Sequence, residues 1–261
     1  MNRYRRVRYF YVFLITTSVF AWGCTGKATE LEQIIKSGEI KIGTEGTLPP
    51  FNYQDESGKL QGFEVDLGRE IANRLGVKAT FVTSQWDALL LGLNSGEFDI
   101  VIDDVFDTKE REERFAFSAP YLVSKSVIIT KSDAAPIKSA DALKGKIAVQ
   151  SVGTVQAKLA AQYAEKVIFS PDIGSMSQII SQGMADCMIV SNIEFAGVMK
   201  RHPELQLRSD ATIGDNQFSA IVMRKQSADL KHSIDSIILS LKQDGYLSRQ
   251  AVKYFGTDVS Q

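Results

Sequence analysis

Strand-like and helix-like segments alternate along this chain from about residue 28 onward, and that alternation limits the fold more than any other feature. Leu31, Ile34 and Ile35 predict an opening helix stopped at Ser37-Gly38, and Ile40 to Gly43 a strand. Leu67, Ile71 and Leu75 recur at a four-residue spacing with Gly76 just beyond, where a helix would end. Thr80 to Thr83 predicts a strand, Trp86 to Leu93 a helix, and Asp99 to Ile102 a short apolar strand ending at Asp103-Asp104.

A second series follows Ser118-Ala119-Pro120-Tyr121. It holds a strand at 126–130, a short helix at 139–143, a strand at 147–149 and a helix at 154–163, and the alternation continues through 167–169, 176–180, 187–190 and 192–200. A late strand is expected over Phe218 to Met223, and Leu230, Ile234, Ile237, Ile238 and Leu241 mark one face of a long helix. Strands alternating with helices imply α/β architecture with mostly parallel sheets covered on both faces. Two such series with strand-like connections near 121–130 and 216–223 imply two lobes, the chain crossing to the second and returning.

The first residues need separate treatment. Arg3, Arg5, Arg6 and Arg8 precede an uncharged apolar run from Tyr9 to Ala21. At ~1.5 Å per residue that run falls short of a ~30 Å hydrocarbon core. A basic head, a short apolar stretch and small residues read as an export signal over 1–23, with an uncleaved membrane anchor as the alternative. Cys24, preceded by Ala21-Trp22-Gly23, resembles the lipidation site of bacterial lipoproteins, although Ala21 and Trp22 depart from its usual wording; plain cleavage is the alternative. Residues 24–30 would form a tether. The signal carries four arginines and no acid, so the remainder is net acidic.

Composition narrows the chemistry. Lys+Arg number 30 against 31 Asp+Glu, which gives no electrostatic reason to expect nucleic-acid binding. Two Cys and two His exclude a disulfide framework and zinc motifs, so no cofactor or metal is expected. Cys187, in the apolar run Cys187-Met188-Ile189-Val190, reads as a buried, inert thiol.

In open parallel sheets ligands gather outside the carboxyl ends of the strands. Thr44-Glu45, Trp86, Asp103-Asp104, Gln150 to Thr154 and Ser191 to Glu194 stand at those ends, each on a different loop. Their convergence points to a small polar ligand between two lobes.

Several segments carry a family resemblance in order: Ile42-Gly43-Thr44-Glu45-Gly46-Thr47-Leu48-Pro49-Pro50-Phe51, Gly62-Phe63-Glu64-Val65-Asp66, Ser84-Gln85-Trp86-Asp87-Ala88-Leu89, Thr108-Lys109-Glu110-Arg111, Phe117-Ser118-Ala119-Pro120-Tyr121 and Gly145-Lys146-Ile147-Ala148-Val149-Gln150. From about Leu31 to Phe255 the chain resembles the polar amino-acid-binding proteins of ABC importers, extracellular solute-binding protein family 3. The resemblance implies a type II periplasmic-binding-protein-like fold with two hinge strands. Lobe one would span 31–123 and, on the return, 219–261; lobe two would span 124–218. It also implies a monomeric, exported receptor that closes on its ligand and docks on a membrane permease, held to the bilayer through Cys24.

The resemblance assigns Arg111 to the ligand α-carboxylate, Trp86 to an aromatic wall, Glu45 to an amino group, and Gly153 with Thr154 to the carboxylate from lobe two. A solvated charge run around Arg111, a core Trp86, a surface Glu45 and a helix-capping Thr154 are the plainer readings of the residues themselves. The chain departs from the family at Asp104, Phe106 and Ser191, the last standing where an ammonium-binding Asp is usual. Asp103, Asp104 or Glu194 would then supply the missing negative charge, or Asp103 and Asp104 would merely cap the next short helix. Such a pocket suits a ligand bearing both a carboxylate and a cationic group, or one that is not a standard α-amino acid. A second reading comes from residues 185–194 and His202-Pro203-Glu204-Leu205, which are similar to cyclohexadienyl (arogenate/prephenate) dehydratase and place Glu194 at its general acid.

Overall fold

The computed structural model describes residues 28–260; the expected export signal, Cys24 and most of the expected tether lie outside the described residues. Helix α1 (Glu30–Ser37) opens with a reciprocal cap between Thr29 and Glu32 and ends at Gly38, followed by strand β1 (Glu39–Thr44). A small antiparallel sheet of β2 (Thr47–Leu48), β3 (Asn52–Gln54) and β4 (Leu60–Gln61) interrupts before α2 (Phe63–Leu75). Gly62 at the start of α2 has φ +133°, and the Phe51 carbonyl sits where its Cβ would be, so only glycine fits this turn. There follow β5 (Lys78–Thr83), α3 (Trp86–Ser95), β6 (Ile100–Val101), α4 (Lys109–Glu112) and β7 (Phe115–Phe117).

The chain then crosses on the long strand β8 (Leu122–Lys131). Beyond it come β9 (Ile147–Gln150), α5 (Val155–Tyr163), β10 (Lys166–Phe169), α6 (Ile173–Ser181), β11 (Met188–Ser191) and α7 (Asn192–Arg201). It returns on β12 (Leu207–Ser219), then forms β13 (Val222–Arg224), α8 (Ala228–Gln243) and α9 (Tyr246–Phe255).

The first sheet has the order β5-β1-β6-β13-β7. Its β1 runs parallel to both β5 and β6, with Ile42 opposite Phe81 and Ile100, while β13 is antiparallel to β6 and β7. In the second lobe β9 and β10 are parallel, and a parallel bridge from Ala148 to Cys187 joins them to the antiparallel set β11-β8-β12. The parallel core expected from the alternation is present in both lobes. Antiparallel pairing enters where the chain departs and returns, because a strand leaving a lobe and the one coming back must point opposite ways.

The late strand expected over 218–223 is divided. Phe218 and Ser219 end the 13-residue β12, and β13 begins only at Val222. The 207–217 part, with burial that follows no strict alternation and a register shift after Thr212, carries no clear period-2 pattern. Ile34, Ile40, Ile42, Leu67, Ile71, Ile100, Ile234, Ile238 and Leu241 bury the helical faces against the first sheet. Cys187 is fully buried among Ile128, Leu143, Ala148, Ala160 and Ile189 and forms no disulfide. Burial pushes its thiol up to about 12.

Candidate functional site

The carboxyl ends of β1, β5, β6, β9, β10 and β11 are followed by loops that converge on one cavity of about 60 Å³ between the lobes. On a scale where one water needs ~10–15 Å³, this is room for a small solute headgroup or a few waters. Glu45, Trp86, Asp103, Asp104, Phe106 and Arg111 line it from the first lobe, and Thr154 and Glu194 from the second. Gly153 and Ser191, expected at the site, stand just behind its wall.

Arg111 lies in α4, whose cap is Thr108. Asp103 and Asp104 therefore do not cap that helix. The Arg111 Nη1 donates to the Phe106 carbonyl at 3.0 Å and Nη2 to the Gly153 carbonyl at 3.2 Å, so one guanidinium spans both lobes. Its Cζ sits 5.4 Å from the Trp86 ring centroid, and the Trp86 Nε1 donates to the Val152 carbonyl at 3.0 Å. Burial lowers the Arg111 pKa, and nearby Glu110 counters that. A guanidinium carries more N–H donors than these two bonds use, and Arg111 forms no ion pair with the acids lining the cavity. Gly153 takes φ +77°, and its carbonyl, rather than its N–H, faces Arg111. Thr154 is the cap of α5, accepting from Ala157 N at 3.0 Å while donating to the Ser151 carbonyl at 2.9 Å.

Acids make up most of the remaining polar lining. Asp103 Oδ1 accepts from Glu45 N at 2.7 Å, Asn52 Nδ2 at 3.0 Å and Thr44 Oγ1 at 3.1 Å, while the buried Oδ2 has no hydrogen-bond partner. Asp104 adopts φ +45°, a left-handed conformation that Asp tolerates better than most residues, and accepts from the Ser219 hydroxyl. Its N–H donates to Glu64 Oε1 at 2.6 Å; Glu64 also accepts from Tyr121 and from Asn52 Nδ2 at 2.6 Å. Ser191 and Glu194 form a reciprocal cap at the start of α7, with Glu194 Oε2 accepting from Ser191 N at 2.7 Å. Burial lifts the pKa of Glu45 to about 7, opposed by the Thr47 hydrogen bond and reinforced by Asp172 and Glu194. It raises Glu64 and Glu194, and raises Asp103 and Asp104 well above the usual carboxylate range, with neighbouring acids adding to both.

Residues 40–257 match the bacterial extracellular solute-binding proteins, family 3. The chain belongs to that family. It is 32% identical over 248 residues to a probable amino-acid ABC transporter-binding protein of Haemophilus influenzae, covering 95% of this chain and 96% of the relative. It is 35% identical over 229 residues to the L-cystine-binding protein TcyA of Bacillus subtilis, covering 87% and 85%. The solved structure of an ancestral arginine-binding protein bound to arginine superposes with a TM-score of 0.79 at 31% identity, covering 84% of this chain and 99% of that one.

Within this family 3 chain, sequence reasoning missed Asp172 and Met176, which line the cavity, and Glu64, which lies beneath it. Asp172 follows the β10 strand, so the strand-end rule applied to Ser170-Pro171-Asp172 would have found it. Glu64 sits between the buried Phe63 and Val65, where an acid among apolar residues was itself a signal. Outside the cavity the lobes touch at both rims. Lys158 pairs with Glu110 on one side, and on the other Gly197 of α7 packs under the Pro49 carbonyl while Arg201 lies 5.0 Å from the Tyr53 ring centroid.

Proposed function

We propose that this family 3 protein captures an amino acid or related small carboxylate- and amine-bearing solute by hinge closure and delivers it to an ABC permease. The single observation that carries this reading is the interlobe cavity lined by an ion-pair-free guanidinium and by several carboxyls. The names of the relatives, an amino-acid receptor and a cystine receptor, agree with it. Lobe boundaries near residues 123 and 218 would put both hinges on β8 and β12. Closure requires a ligand that binds the closed form better than the open one, and groups supplied by both lobes give that difference. Glu45, Trp86, Asp103, Asp104, Phe106 and Arg111 would receive the ligand. Gly153, Thr154, Ser191 and Glu194 would act from lobe two, Gly153 and Ser191 by holding Arg111 and Glu194 in place. Lipid at Cys24 would keep the protein beside its permease, and a mature N-terminus with the mass of an acylated cysteine is the check.

The function is tested by thermal denaturation with a panel of amino acids, amines, prephenate and arogenate. Saturation at ~100 times Kd adds about 2.7 kcal/mol, a shift of several degrees for a domain this size. A panel without any shift would remove the receptor reading.

One observation favours a second reading: Glu194 is an acid with raised pKa lining the cavity, as a general acid would be. Turnover of prephenate or arogenate that is lost in Glu194→Gln would establish the dehydratase; no turnover by the native protein leaves the receptor alone.

A further inference from the structure

The charges lining the cavity do not balance. Glu45, Asp103, Asp104, Asp172 and Glu194 all line it, Glu64 lies directly behind, and Arg111 is the one cation on its wall among the described residues. Among the described residues none of these acids lies within ion-pair distance of a lysine, arginine or histidine. An independent sign of a missing partner is Asp103 Oδ2, a buried acceptor with nothing donating to it on a residue that lines the cavity and is only 1% exposed. Native buried acceptors are nearly always satisfied, and an unpaired buried charge costs more than an unpaired neutral group.

We infer that the cleft takes a ligand of net positive charge, with one carboxylate for Arg111 and two cationic groups for the acid wall, and that this ligand enters in exchange for protons. The inference rests on the receptor reading and adds to it the ligand's charge. A ligand with one carboxylate and one ammonium leaves the imbalance as it was. Cystine adds a second carboxylate to a cavity with one guanidinium. Only a second cationic group lets more of the acids ionise.

The proton exchange follows from the same geometry. Without ligand, the crowded acids hold protons because adjacent carboxylates destabilise one another in a buried site. Glu45, on the loop after β1, faces Asp172 at the start of α6, Glu194 on α7 and Asp87 on α3. Asp104, on the loop after β6, faces Glu194, Glu64 of α2 and its neighbour Asp103, with Tyr121 close by at the start of the crossing. Each arriving ammonium or guanidinium displaces the proton of one carboxyl group to bulk water and donates N–H bonds to the carboxylate left behind. Binding therefore weakens as pH falls and the acids regain protons.

Isothermal titration of the purified protein with L-lysine, L-ornithine and L-arginine, against L-glutamine, L-cystine and L-glutamate, decides the matter. Run in phosphate and in Tris, the titrations count the protons released. At least one dibasic probe is expected to bind about tenfold or more tighter than each of the other three, to release protons near pH ~7, and to lose about fivefold or more in affinity by pH ~5.5. Glu45→Gln is expected to release fewer protons while remaining folded by circular dichroism. Glutamine or cystine binding as tightly as every dibasic probe would overturn the charge assignment and leave the receptor intact. Dibasic binding without proton release would overturn the exchange. Binding by none of the six amino acids would overturn this inference, and an empty thermal-shift panel would take the receptor reading with it.

Discussion

Arg111 donates to the main-chain carbonyl of Gly153 across 3.2 Å, joining α4 of the first lobe to the loop before α5 of the second. The side chain that the family resemblance makes a ligand grip thus also bridges the lobes. Both roles are compatible, since the bond to Gly153 needs the lobes together and a bound carboxylate would hold Arg111 at the same place. On the proposed function, ligand capture and closure would share one residue, and mutations here would affect both.

Replacing Arg111 by alanine removes a charge-assisted donor pair, each bond worth about 1.5–3 kcal/mol. Affinity is expected to fall by about two orders of magnitude or more, with the ligand-free protein still folded. Titration calorimetry beside a melting curve separates the two. Wild-type affinity would place Arg111 outside the ligand site.

Gly197 sets how closely α7 approaches the first lobe. A Cβ built there would lie 2.6 Å from Pro50 Cδ and closer still to the Pro49 carbonyl. In Gly197→Ala this overlap acts only when the lobes are closed, and overpacking costs about 1–3 kcal/mol. Ligand affinity is expected to drop about 5- to 150-fold with little change in ligand-free melting temperature, and the ligand-induced decrease in radius of gyration by small-angle scattering is expected to shrink. Unchanged affinity would show that closure does not bring these residues together.

The ligand-free protein should lose stability as pH rises. Glu45 is lifted from 4.5 to about 7 in the folded chain. In that window the folded state binds more protons than the unfolded one, so its stabilising contribution is complete below about 4.5 and is lost on the way to about 7. Melting temperature measured across this range should decline, and Glu45→Gln should flatten the slope. A variant with the native slope would assign the titration to other acids.

Cys187 should resist alkylation while the protein is folded. It is buried in an apolar cluster with its thiol pushed up to about 12, and the thiolate is the reactive form. A maleimide is expected to leave Cys187 unmodified in native protein and to label it after denaturation, by peptide mass analysis. Cys187→Ser should cost about 1–3 kcal/mol by placing a hydroxyl in a site that offers it no partner.

Helix boundaries were readable because their causes are local. Leu67, Ile71, Leu75 and Gly76 predict the apolar face and the C-terminal cap of α2, and both are present. A helix cap is the plainer reading of Thr154, and it caps α5. The strand β12 was mostly missed, since residues 207–217 show no alternation and are held by pairing with β8 across some 80 positions of chain. The same limit applies to Asp103 and Asp104: the plainer of their two readings, a cap on the next short helix, fails because Thr108 caps α4.

Residue patterns alone carry the α/β class, the family, most of the helices and strands in their order, and the loops that line the candidate cavity. Those properties follow from periodicity, caps and strand ends, which act within a few residues. Only the tertiary structure decided that Asp172 of the second lobe faces Glu45 of the first, that Glu64 lies beneath Asp104, and that the Gly153 carbonyl turns toward Arg111. A carboxyl group's charge state depends on what surrounds it in space, and residues more than a hundred positions apart supply those surroundings here.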